Sequence, residues 1–134
     1  MRITINYCWA VALIVFAAHN LEETIAMANG WAIHHLPRLS WTADQWPIFA
    51  AAATVLTLIV GLIAWNFWHR PERSIRWLKI FLWIMLLNAI WHIGVSVYTQ
   101  SLAPGVVTAV FLILPLYSLI LHRLPQAQRV PNHP

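Results

Sequence analysis

Four apolar stretches, each about 20 residues or longer, occupy most of this chain, and that is the length a helix needs to cross a bilayer. They cover about residues 43–68, 74–99 and 105–123, after a first stretch at 5–28. Backbone N–H and C=O groups have no water partner in hydrocarbon, so such stretches fold as helices. The fold class is therefore all-α, a four-helix transmembrane bundle. Composition agrees: 60% of the 134 residues are hydrophobic and only 9% are charged, against about a quarter charged in soluble domains. The chain divides into a membrane domain, residues 1–123, and a polar tail, 124–134, which holds three prolines and is expected to be disordered.

Helix punctuation supports these boundaries. Asn29-Gly30 supplies a stop for the first span. Thr42-Ala43-Asp44-Gln45 resembles a capping box before the second, and Arg70-Pro71 separates the second from the third. Pro115 lies inside the fourth and should kink it. Gly61 and the run Ala50–Ala53 would let helices approach closely. Arg2 followed by an apolar run ending at Ala17-Ala18 has the look of a secretory signal. The run continues through Thr24 to Ala28, however, and three spans follow, so the first helix is expected to be retained.

Arg2, Arg70, Arg73, Arg76, Lys79, Arg123 and Arg129 fall on one side of a four-span chain, and only Arg38 falls on the other. The positive-inside rule then places both termini in the cytoplasm, in the cytoplasmic (inner) membrane of a bacterium. The net charge of +4 is explained by these flanking residues, which excludes a nucleic-acid partner. Many of the nine tryptophans form interfacial belts: Trp31, Trp41 and Trp46 outside, Trp65, Trp68 and Trp77 inside. The single cysteine, Cys8, excludes an internal disulfide and a cysteine-rich metal cluster.

Against this apolar background two of only four acidic residues, Glu22 and Glu23, stand together inside the first span. A charge at the centre of a span costs about 2.5–3.5 kcal/mol on insertion scales. His19, Glu22 and Glu23 are three and four apart, on one side of that helix. In the third span Asn88 and His92 are four apart, and Ser96 and Thr99 extend the stripe, which should face the bundle interior. At a rise of about 1.5 Å per residue, His19 and Asn88 lie at about 21 Å depth, and Glu22, Glu23 and His92 at about 26–27 Å. The two groups thus meet at one height, in the outer half of the membrane. Asp44 on the second helix and Thr108 on the fourth fall near the same level.

His19-x-x-Glu22-Glu23, together with Asn88-x-x-x-His92 and with Pro104-Gly105 ahead of Thr108, resembles the HXXEE-motif integral membrane family. The resemblance extends to about His122. It implies a small helical membrane domain with a shared site, and no established reaction.

The side chains themselves suggest what such a site can do. Two histidines and a carboxylate with an open position make a familiar catalytic set for zinc or iron. His19, His92 and Glu22 or Glu23 are the candidate ligands. The remaining carboxylate would serve as general base, and Asn88 would orient a ligand or a substrate oxygen. A metal would also stabilise carboxylates in a dry site. Di-iron bundles use about four carboxylates, and the third span has none. Without a metal, two close carboxylates cannot both ionise easily, so Glu22 and Glu23 could act as acid and base in an isomerase or cyclase. Trp91 could then stabilise a cation, with Ser96, Thr108 and Asp44 completing the substrate contacts. The substrate in either case is a lipophilic small molecule that arrives through membrane lipid, and a homodimer could add residues from a second copy. Other roles for the cluster are an ion or proton carrier, bis-histidine haem ligation, or structural glue. Interhelical polar bonds contribute only about 0.6 kcal/mol each, for which serine or asparagine suffices. His34 and His35 in the outer loop, His69 and His122 at inner helix ends and His133 in the tail are assigned no chemistry.

Overall fold

In a computed structural model the described residues are 4–35, 45–67 and 69–127. They form helices without strands. The first span is α1, Ile5–Ala28; a short α2, Trp31–His35, follows; α3 is Trp46–Asn66 and α4 is Pro71–Thr99. The last span begins as α5, Val106–Thr108, widens into a π-helix, Ala109–Tyr117, and ends as α6, Ser118–Ala127. Four of these helical stretches are long and apolar enough to cross a membrane. Expected and observed boundaries differ by a few residues. Thr42 to Asp44 of the expected capping box lie outside the described residues, and α3 starts at Trp46 with Pro47 in its first turn. Pro71 opens α4 rather than merely separating two spans, because its missing N–H has no partner to lose there.

The C-terminal ends follow the chemistry of left-handed residues. Gly30, at φ +75°, turns the chain after Asn29 caps α1. At the end of α4 Gln100 takes φ 52°, and the Ser101 N–H returns to the Ser96 carbonyl at 3.2 Å. Pro115 is absorbed by the nine-residue π-helical stretch around it. A proline removes one i→i−4 bond and crowds the preceding turn; wider i→i−5 bonding accommodates both. The last helix runs on to Ala127, past the expected end at residue 123, because Leu124, expected in a disordered tail, is buried against the core; residues 128–134 lie outside the described residues.

Three of the spans make most of the core, to which α3 adds Ala64. Trp9, Val15 and Phe16 of α1 pack with Leu78, Leu82 and Met85 of α4 and with Ile113 and Tyr117 of the π-helix. Phe81 stacks on Trp9 at 5.9 Å and meets Phe16 edge-on at 5.3 Å. Two polar ties cross this core. The Trp9 indole donates to Ser74 Oγ at 2.9 Å, and the Tyr117 hydroxyl donates to the Ala12 carbonyl at 2.7 Å. Tyr117→Phe is expected to lower stability by about 1 kcal/mol, the usual net worth of such a bond, measured by reversible unfolding in mixed detergent.

The α3 helix packs on α1. Asn20 Nδ2 donates to Thr57 Oγ1 at 2.7 Å, and Ala50 and Ala53 line the groove between the two helices. Ala51 and Ala52 face outward, and a methyl group placed on Gly61 would meet nothing within 4 Å. Close packing here therefore rests on Ala50 and Ala53, not on Gly61.

Candidate metal centre

One end of the three-helix core is polar. His19 is 1% exposed and its ring packs edge-on against His92, with centroids 4.9 Å apart. Glu23 Oε1 lies 3.6 Å from His19 Nε2 and 3.0 Å from His92 Nε2. One ligand atom from each of His19, Glu23 and His92 falls within 4.8 Å of the others. Ligands about 2.0–2.1 Å from a tetrahedral zinc ion stand about 3.3–3.4 Å apart, and the two carboxylate distances, 3.0 and 3.6 Å, fall on either side of that edge.

Two further details concern the rings. His92 Nε2 is buried and has no hydrogen-bond partner, although a carboxylate oxygen is 3.0 Å away. The contact is short, but the oxygen is not where a ring N–H would point. Buried polar atoms are rarely left in this state. His19 has partners at both nitrogens: Nδ1 is 2.8 Å from Thr108 Oγ1, and Nε2 is 3.0 Å from the Asn88 amide nitrogen. The Thr108 hydroxyl proton is directed at the Gly105 carbonyl, 3.1 Å away. With that proton directed at Gly105, the hydroxyl accepts from a ring protonated on Nδ1, the tautomer that leaves the Nε2 lone pair facing Glu23 and Asn88. A metal-binding histidine is commonly held in this way.

Glu22 is turned elsewhere. Its two oxygens accept the N–H groups of Val107, at 3.0 Å, and Thr108, at 2.8 Å. Those are orphan donors at the start of the last span. Val106 N–H donates to Ala103 O at 3.1 Å, and Ala109 N–H makes the first intrahelical bond, to Gly105 O, at 2.9 Å. A backbone N–H left unsatisfied on burial costs about 1–3 kcal/mol. A carboxylate suits the positive end of the helix. Glu22 and Glu23 thus have separate partners.

Gly105 makes the arrangement possible. Its φ is +79°, and a Cβ there would stand 2.5 Å from His19 Cε1 and 3.1 Å from Glu23 Cγ. The backbone of the loop lies directly against the two site residues. A Pro-Gly pair before a span is the sequence signal for this turn; the close approach to His19 carries no local signal.

Asn88, His92, His19, Glu23 and Thr108 are brought together. Trp91, Ser96 and Thr99 are not among them. Trp91 is 68% exposed on the outer face of α4, because one residue from His92 is 100° of helix away. Ser96 Oγ accepts the Ala103 N–H at 2.9 Å and so fastens the loop that carries Gly105. Thr99 bonds the Val95 carbonyl and Ser101. Asp44 lies outside the described residues.

A family model described as a protein of unknown function with an HXXEE motif matches residues 10–120. The chain belongs to the HXXEE family. The HXXEE chain is also 32% identical over 127 residues to a protein of Bacillus subtilis (strain 168) named "Uncharacterized protein YrkK". That match covers 88% of the HXXEE chain and 72% of the relative. No solved structure matches. The motif's histidine and second glutamate are the two of its residues in the cluster, and its first glutamate closes the start of the last span.

Proposed function

We propose that this HXXEE protein is an intramembrane metalloenzyme that acts on a lipophilic small molecule, with zinc or iron held by His19, Glu23 and His92. The observation that carries the reading is the convergence of these three residues, with His92 Nε2 buried, without a hydrogen bond, and 3.0 Å from Glu23 Oε1. The donor set, two imidazoles and a carboxylate, suits either metal and leaves coordination positions free. When bound, such a metal supplies Lewis-acid polarisation of a substrate oxygen and a more acidic water, the requirements of hydrolysis. The chain's own residues do the rest. Asn88 Nδ2 lies 3.0 Å from His19 Nε2 and would turn to orient a substrate oxygen once that nitrogen takes the metal. His19 is held by Thr108, and Glu23 bridges the two imidazoles.

The surroundings support a lipophilic substrate. Leu87, Ile90 and Trp91 on α4, Leu21 and Ile25 on α1, and Phe111 on the last span are all exposed. A molecule that reaches the cluster from the side crosses this apolar surface. The distribution of basic residues supports cytoplasmic termini and, with them, a cluster in the outer half of the bilayer. The metal-free reading, in which Glu22 and Glu23 work as an acid–base pair, has less support, because both Glu22 oxygens are engaged by backbone N–H groups.

Elemental analysis of protein purified in detergent without chelators tests the proposal. The expected result is about one zinc or iron per chain, absent from the His19→Ala/His92→Ala variant. Absence of metal from both proteins, before and after reconstitution, would instead support acid–base chemistry by Glu23 between its two imidazoles.

A further inference from the structure

The tight coupling of Glu22 to the start of the last span has a consequence for the cluster that Glu22 does not touch. Its carboxylate holds the Val107 and Thr108 N–H groups at 3.0 and 2.8 Å. The same Thr108 presents its hydroxyl to His19 Nδ1 at 2.8 Å, while that hydroxyl's own proton is taken by Gly105 O. One turn of backbone therefore links Glu22 to the ring orientation and tautomer of His19. We infer that Glu22 is a positioning residue: acting through Thr108, it sets the metal affinity of the His19/Glu23/His92 cluster without being a ligand.

The inference rests on the metal reading above and adds to it. Partners that orient a metal-binding histidine typically change affinity about 10–100-fold when removed. Glu22 acts one link further out, through backbone that the carboxylate clamps at two points. Movement of the turn carries the Thr108 hydroxyl away from Nδ1 and leaves the ring free to turn its proton toward the cluster.

Cobalt(II) is a suitable probe, because it reports both affinity, by competition with a chelator, and geometry, by its visible absorption bands. The proteins are metal-stripped wild type, Glu22→Gln, Thr108→Val, Thr108→Ser and the Glu22→Gln/Thr108→Val pair. Glu22→Gln and Thr108→Val should each weaken cobalt binding about 10–100-fold and displace the bands in the same direction. Thr108→Ser should restore wild-type behaviour, and the double variant should be no weaker than the weaker single one, since both act on one contact. If Glu22→Gln fails to fold, Glu22→Asp, which retracts the carboxylate by one methylene, gives the same comparison. A Glu22 variant with reduced thermal stability but wild-type cobalt affinity and bands overturns the inference and leaves Glu22 a helix cap only. Wild-type protein that takes up no cobalt overturns the metal reading itself, a different and distinguishable failure.

Discussion

Glu23→Gln is expected to abolish metal binding while leaving the metal-free protein as stable as the wild type, or more so. Glu23 Oε1 is the atom common to both short contacts in the cluster, at 3.0 Å from His92 and 3.6 Å from His19. An amide oxygen carries no charge to offset a divalent ion, so affinity should fall by more than the about 10–100-fold typical of a supporting partner. Stability should not follow. A carboxylate in a largely apolar bundle carries a desolvation cost when no cation is near, and glutamine removes the charge at nearly constant volume. The two effects are read separately, by metal content and by thermal unfolding in detergent after treatment with a chelator. A variant that unfolds outright would mean that Glu23 holds the helices together and that the cluster is structural.

The second large effect is expected at Gly105. An alanine there meets His19 Cε1 at 2.5 Å, in backbone with φ +79°. Left-handed backbone costs a residue with a Cβ about 1–2 kcal/mol, and overpacking adds about 1–3 kcal/mol. Gly105→Ala should therefore lose about 2–5 kcal/mol of stability and displace His19, with loss of metal. Gly94→Ala is the control. That glycine lies in α4, where an added methyl carbon would meet nothing within 4 Å, and alanine should be tolerated or stabilise by up to about 1 kcal/mol. Equal behaviour of the two variants in thermal unfolding would contradict the packing described for the Gly105 turn.

The spans were legible in the sequence because hydrocarbon thickness imposes a length on any helix that crosses it. The meeting of His19 with Asn88, His92 and Thr108 was legible too. Depth along a helix follows from residue number, and the polar groups share one depth. Direction around the axis was harder to read. Glu22 and Glu23 are adjacent, and 100° of rotation separates them. That angle is the difference between a place in the cluster and a place against Val107 and Thr108. The same rotation sets Trp91 outward beside an inward His92. Pro115 announced a disturbance of the last span, but not its form, a π-helical stretch from Ala109 to Tyr117 in place of a kink. The partner of Glu22 is 85 residues away in sequence, beyond the reach of any local pattern.

X-ray absorption at the metal edge of the natively purified protein addresses the central claim most directly. The account predicts zinc or iron bound by nitrogen and oxygen, at about 2.0–2.2 Å for zinc, with outer scattering from two imidazoles, and loss of that signal in His92→Ala. A wild-type protein without metal, or a spectrum unchanged by His92→Ala, would contradict it.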